Sequence, residues 1–269
     1  MNNSTGNKQT SSRGAPQYRV RGGGRRRSPP RLLTVIRSVQ LTPHMHRITL
    51  GGDDMAGFPE GRESANFKLH VPLPGQQSIV RTYTVRNFNP EKQEVDVDFF
   101  VHNDPGPASS WAINASPGDK IGFAGPGPDK LTDFSKDWFL FAGDMSALPA
   151  IGANIEQLPA DAKGYAVLEI VKAEDKQDLP FPAGIEVHWI LNPHPEQKNT
   201  CLIDAVMPLK WLPGKPAVWI ASESSTVRAL RKQLSEKHGL GRDGRYCSGY
   251  WQIGLSEDQH QIEKRKDKD

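Results

Sequence analysis

Residues 81–111 carry Arg81-Thr82-Tyr83-Thr84-Val85, then an alternating run from Glu94 to His102, then Gly106-Pro107-Ala108-Ser109-Ser110-Trp111. Side chains alternate across a strand, so Val95, Val97, Phe99 and Val101 share one face while Asp96, Asp98, Phe100 and His102 share the other. The first face reads as core; the second is free to meet a ligand. The Gly-Pro-Ala-Ser-Ser run offers backbone N–H groups and two hydroxyls just ahead of a helix expected at Trp111-Ala112-Ile113. A helix N-terminus attracts phosphate, so a pyrophosphate is expected to rest there.

Outward from this stretch the pattern changes once. Short alternating runs separated by Gly, Pro and Asn read as an antiparallel barrel: Leu32–Val39, His46–Leu50, Asn66–Val71, Ile79–Arg86, Glu94–His102 and Lys120–Ala124. From Trp138 onward strands alternate with helices, as in a parallel sheet with right-handed crossovers. Strands are expected at Trp138–Ala142, Tyr165–Val171, Glu186–Leu191, Ala217–Ala221 and near Gly249–Gln252. Between them lie a helix capped by Ser146 and running to Leu158, a short helix at Leu202–Val206, and one at Thr226–Lys237 ended by Gly239. The expected fold is all-β plus α/β. A disordered basic arm spans 1–30, a β-barrel domain 31–128, an α/β domain 136–255, and a charged tail, read as a fraying helix, 256–269.

The motif stretch resembles the siderophore-interacting proteins, FAD-containing ferric-siderophore reductases of the ferredoxin-reductase-like group, whose flavin motif is Arg-x-Tyr-Thr/Ser followed by Gly-Pro-Ala-Ser-x-Trp-Ala. The resemblance extends through Leu41-Thr42-Pro43-His44-Met45 and Ile48-Thr49-Leu50-Gly51-Gly52. It continues in Ala142 to Ala150, Ala221 to Arg228 and Gly249-Tyr250-Trp251, covering roughly residues 31 to 255. It implies that the barrel binds FAD and that the α/β domain receives a nicotinamide cofactor.

Roles follow by chemistry and position. Arg81 suits the flavin pyrophosphate through its planar fork. Tyr83 offers an aromatic face to the ring, and Thr84 a hydrogen bond near it; Val85 completes the motif. Asp98, Phe100 and His102 are the FAD-facing side of their strand, and Ala108, Ser109, Ser110 and Trp111 are the second anchor. Ligands of open parallel sheets bind beyond the strands' carboxyl ends, which places NAD(P)H at Gly143, Asp144, Met145, Ser146 and Ala147 and at Glu223. Acids at Glu174 and Asp175 favour NADH by binding the ribose hydroxyls, whereas Arg228, Arg231 and Lys232 suit the 2′-phosphate of NADPH. Reduced ferredoxin is a further possible donor within such families.

The resemblance also implies the reaction: reduction of ferric siderophores, with electrons passing from NAD(P)H through FAD, and iron leaving as ferrous ion. The flavin carries that chemistry, so no catalytic acid or base is needed. Many ferric siderophores are anionic, and Lys68, Lys130 and Arg245, with the run from Lys264 to Lys266, are candidates to attract them. The alternative is a flavoprotein that relays electrons to a protein partner without a small iron substrate.

Composition bounds these readings. With 36% hydrophobic and 24% charged residues, the 269-residue chain is of ordinary globular composition. No apolar run approaches ~20 residues, the length a membrane span needs. The N-terminus lacks a secretory-signal pattern, and Cys201 and Cys247 are the only cysteines. A cytoplasmic monomer without a cysteine-ligated cluster is expected. Residues 1–31 carry eight basic side chains and no acid, leaving 26 basic against 31 acidic residues beyond them. The net acidic body argues against nucleic acid as partner. The eight histidines show no His-x-x-x-His spacing, so no resident metal is expected. Gly-x-Gly-x-x-Gly after a strand and Gly-x-x-x-x-Gly-Lys-Ser/Thr are both absent, which disfavours a Rossmann dehydrogenase and a P-loop nucleotidase.

Overall fold

The computed structural model describes residues 29–73, 75–102 and 104–266. The basic arm read from residues 1–30 lies almost wholly outside them. The first half builds β1 (Arg31–Thr42), β2 (Met45–Gly51), β3 (Asn66–Leu73), β4 (Gln76–Thr84), β5 (Asn87–Asn89), β6 (Glu94–Phe100), α1 (Pro107–Asn114) and β7 (Lys120–Ala124). All its pairings are antiparallel, in the order β4-β3-β7-β1-β2-β6-β5. The antiparallel half expected from the sequence is thus present. β4 and β5 are the ends of the sheet, and the chain leaving β4 touches β6 where Arg86 N donates to Asp96 O at 3.0 Å.

Alternation explains the packing of this sheet. Val95, Val97 and Phe99 are fully buried, joining Leu33, Val35, Ile48, Leu50, Ile121 and Phe123 in one core. β5 went unseen in the sequence because three residues cannot show a period.

The second half contains β8 (Trp138–Gly143), α2 (Leu148–Ile155), β9 (Lys163–Ile170), β10 (Gly184–Leu191), α3 (Cys201–Val206), β11 (Pro216–Glu223), α4 (Ser224–His238), β12 (Arg245–Trp251) and α5 (Glu257–Lys266). The five strands are parallel in the order β10-β9-β8-β11-β12. Both faces are covered, as continuous apolar strands require. Phe139 and Phe141 pack with α2 on one side, while Trp138, Leu140 and Ala142 pack with α3 and α4 on the other. Ser146 is not the cap of α2: the helix starts at Leu148 with Ala147 before it, and Asp144 O accepts Ala147 N and Leu148 N. Gly239 ends α4 in the left-handed conformation, φ 65°.

Buried polar groups join the two halves. Arg86 is 6% exposed and donates to both oxygens of Glu156 beside α2, with its Nε 3.8 Å from Asp98. It lies over Gly152, where a Cβ would stand 3.1 Å from the guanidinium. Asn154 donates to Ser64 Oγ at 3.1 Å and accepts from Thr132 N at 2.7 Å. Removing one member of such a set would leave a buried polar group unpaired, which costs about 1–3 kcal/mol, so the relative placement of the sheets is strongly specified.

The charged run after residue 256 is not a loose tail. α5 docks across both halves: Glu257 accepts Thr82 N at 3.0 Å on β4, and His260, 2% exposed, hydrogen-bonds Ser224 Oγ at 2.9 Å at the start of α4.

Candidate functional site

A cleft of about 1170 Å³ opens between the two sheets. Small-molecule pockets commonly hold 300–1,000 Å³, so this one exceeds the usual size of a single-ligand site. One wall is built by β3, β4, β6 and the start of α1; the other by β12, the residues after it and α5.

Of the residues expected to hold FAD, Tyr83, Thr84, Asp98, Phe100, His102 and Ser109 line this cleft. Tyr83 leans on Phe99, ring centroids 4.3 Å apart, and burial together with nearby Glu257 pushes its phenol above the ordinary range. Ser109 Oγ donates to Phe100 O at 3.0 Å, tying α1 to the end of β6. Asp98 is 3% exposed rather than open: Arg47 grips it with two hydrogen bonds of 2.6 and 2.8 Å.

Other expected FAD residues lie behind the wall. Val85 and Ala108 are core, and Trp111 packs 6.0 Å from Phe99. Ser110 Oγ donates to Pro105 O at 3.1 Å, bracing the turn before α1. Arg81 points to α5, with its guanidinium 3.5 Å from Glu257 and from Asp258.

Among the expected nicotinamide residues only Ser146 lines the cleft. Gly143 is a close-packing position: a Cβ there would stand 2.7 Å from Ala221 O and 2.8 Å from Ala147. Ala147 is core, while Asp144 and Met145 border a small adjoining pocket. Asp144 accepts Ser146 N at 2.9 Å, Ser222 Oγ at 2.8 Å and Trp251 Nε1 at 2.7 Å. It therefore anchors the end of β12 against β8 and β11. Glu223 is likewise engaged, capping α4 through Ser225 N at 2.6 Å and Thr226 N at 3.1 Å. Glu169, also bordering the small pocket, has its carboxyl pushed up to about 7 by burial, with Asp144 adding to the effect.

Two expectations are corrected. Arg245 opens β12 and is not on the cleft wall, although Tyr246 after it is; its Nη1 donates to Ser235 Oγ and to Leu240 O at 2.9 Å. Asp175 cannot bind a ribose: it is fully buried and already accepts four hydrogen bonds, from Thr42 Oγ1, His44 N, His44 Nδ1 and Lys172 N.

In place of Arg245, Lys264 of α5 joins Lys68 and Lys130 on the cleft wall. Its stem is exposed, but its ammonium donates to Ser248 Oγ at 2.7 Å and Gly249 O at 2.8 Å. Burial of that head group, then Lys130 and Lys68, lowers its pKa. Lys130 sits 5.9 Å over the Tyr246 ring, and Lys68 donates to Thr82 Oγ1. Three cationic side chains therefore face one space, with Lys130 and Lys68 both disfavouring the charge on Lys264.

Sequence reading missed His44, Tyr250, Trp251 and Glu257 as cleft residues. The first three stood inside quoted motifs, so a signal was present. Glu257 had none, because its role depends on β4 packing against a helix 175 residues away in sequence.

The profile of the siderophore-interacting protein family matches residues 136–254, and that of the siderophore-interacting FAD-binding domain matches residues 34–79 and 72–130. The ferric vibriobactin reductase ViuB of Vibrio cholerae is 34% identical over 87% of this chain and 94% of its own length. The NADPH-dependent ferric-chelate reductase of Escherichia coli is 29% identical over 76% of this chain and 86% of its own. The crystal structure of the siderophore-interacting protein SipS from Aeromonas hydrophila superposes with a TM-score of 0.78 at 33% identity, covering 88% of this chain and 98% of that one. The chain is thus a flavoprotein-type, two-sheet reductase fold. It belongs to the siderophore-interacting proteins.

Proposed function

We propose that this protein reduces ferric siderophores to release ferrous iron, taking electrons from NAD(P)H through FAD. The single observation that carries the reading is the cleft, where the flavin-motif residues Tyr83, Thr84 and Ser109 share one space with Lys68, Lys130 and Lys264. The residues fit the cofactor: an aromatic face, hydroxyls and the first turn of α1 lie along one wall. Bound there, FAD would supply the conversion of a two-electron donor into one-electron transfers. The protein's part is to hold the ring by Tyr83 and Thr84 and to attract an anionic chelate with the three lysines. Of the two acids expected to favour NADH, Asp175 is spent on the domain interface while Glu174 stays exposed; the Escherichia coli relative is named for NADPH. No helix among the described residues is long and apolar enough to cross a membrane.

Anaerobic mixing of reduced protein with ferric siderophores tests the reading: reoxidation of the flavin should accompany ferrous iron in a colorimetric trap. Failure with every ferric chelate, alongside efficient reduction of a protein acceptor, would replace it with the electron-relay alternative.

The cofactor has its own test. Heat should release FAD and no FMN. Thr84→Val, at a side chain that lines the cleft, should weaken FAD binding about 2- to 10-fold, the equivalent of a neutral hydrogen bond worth about 0.5–1.5 kcal/mol. Lys68→Ala should leave FAD binding near wild type, and fluorescence titration of apoprotein would compare the two.

A further inference from the structure

His44 stands in the turn between β1 and β2, and only 8% of it is exposed, yet it lines the cleft. Its orientation is fixed at three points. Its backbone O accepts Val101 N at 2.9 Å, its backbone N donates to Asp175 Oδ1 at 2.9 Å, and its ring Nδ1 lies 2.7 Å from Asp175 Oδ2. Asp175 belongs to the other half of the molecule, in the short turn after β9, and its remaining donors are Thr42 Oγ1 and Lys172 N.

A carboxylate only accepts, so Nδ1 carries the hydrogen, and the lone pair of the ring's neutral form is at Nε2. Every hydrogen bond of the ring is made at Nδ1. A nine-tenths-buried imidazole is thus clamped by a carboxylate from the opposite domain, with its basic nitrogen left for the cleft.

The proposed reaction produces a proton. One NAD(P)H and two ferric chelates give one NAD(P)+, two ferrous chelates and one H+: two electrons leave the nicotinamide, one reaches each iron, and the hydride's hydrogen is released. We infer that His44 Nε2 accepts this proton inside the cleft, with Asp175 as the positioning residue that holds the ring in the accepting tautomer. The inference rests on the ferric-reductase reading. Nε2 then passes the proton to water, or to a ligand oxygen that ferrous iron has let go, and returns to its starting form.

The titratable groups that line the cleft in the loops beyond β6 and β10 are His102, Asp104 and Glu196; Asp98 of β6 also lines it, held by Arg47. Burial lowers the pKa of His102, with Asp104 opposing, so His102 stays neutral further into acid and is the poorer proton store. Asp104 and Glu196 are exposed and exchange protons directly with water.

The test uses the full chain, wild type and His44→Gln and Asp175→Asn variants. In the apoprotein, 15N–1H correlation of the histidine rings should show His44 protonated at Nδ1 only, and addition of FAD should shift its Nε2 resonance. In FAD-loaded protein, the rate of flavin reoxidation by a ferric siderophore should depend on pH. His44→Gln should abolish that dependence and slow the step by ~10²- to 10⁴-fold, the usual range for a positioned acid or base. Asp175→Asn should flip the tautomer and slow the step similarly, FAD remaining bound. His44→Ala should recover rate when free imidazole is added.

A His44→Gln protein that folds, holds FAD and keeps the wild-type pH profile would overturn the inference while leaving ferric reduction intact. A ring protonated at Nε2, or one unmoved by FAD, would also overturn it. Inability of the wild type to reduce any ferric chelate would instead remove the reading beneath it, and the ring tautomer would still be measurable.

Discussion

Gly164→Ala is expected to be the most damaging single small substitution in the α/β half, lowering stability by more than about 4 kcal/mol. Gly164, the second residue of β9, has φ 139°, and a Cβ there would lie 1.9 Å from Phe139 O and 2.8 Å from the Phe139 backbone C and N. Neither strand can give way. Phe139 pairs with Gly164 on one side and with Ala217 on the other, so displacing it would open two parallel ladders at once. Domains hold only about 5–15 kcal/mol in total, so such a loss should leave little soluble protein or lower the melting temperature by roughly 10 °C or more. Gly57→Ala is the control. Its φ is 69° but no atom lies within 4 Å of a Cβ, so only the left-handed strain of about 1–2 kcal/mol applies. Thermal melts followed by circular dichroism would compare them, and equal melting temperatures would refute the close-packing account.

The contrast shows what the amino-acid order made legible. Lys120–Ala124 was readable as a strand with its observed bounds, because the six residues between Gly118 and Gly125 leave little choice. The alternation in β6 told which residues were core, since a period of two survives any register. Side-chain destination was less legible, because it depends on strand direction and on distant partners. Arg245 has the right chemistry for an anion but stands at the entry end of β12, and only the parallel pairing with β11 reveals that. Glu223 ends a parallel strand, where a nucleotide contact was expected, yet two N–H groups of α4 claim its carboxylate. Asp175 was read as a ribose acceptor for the same reason, but Thr42 and His44, more than 130 residues earlier, hold it. α5 was the least legible element. Its sequence lacks an apolar face, and it is seated by polar contacts to Thr82, Ser224 and Ser248 that no periodicity encodes.

Reversing the charge of Lys68 and Lys264 together should lower the second-order rate for an anionic ferric siderophore by ~10²-fold at low ionic strength, within the range that electrostatic steering contributes. Both side chains line the cleft, and both act on one another electrostatically, so they see the same volume of space. In the wild type the rate should fall as salt rises, because a Debye length of about 8 Å at physiological ionic strength screens attraction across the cleft mouth. In Lys68→Glu/Lys264→Glu the sign of the local field changes, and added salt should leave the rate flat or raise it. A neutral ferric hydroxamate should respond only weakly in either protein, since it carries no net charge to steer. Flavin content measured in parallel separates loss of steering from loss of cofactor. Arg245→Gln supplies the spatial control: its guanidinium is bonded to Ser235 and Leu240 at the start of β12, so the same salt dependence should persist. If Arg245→Gln flattened the salt dependence and the lysine pair did not, anion capture would have to be placed at the start of β12, away from the flavin-motif wall.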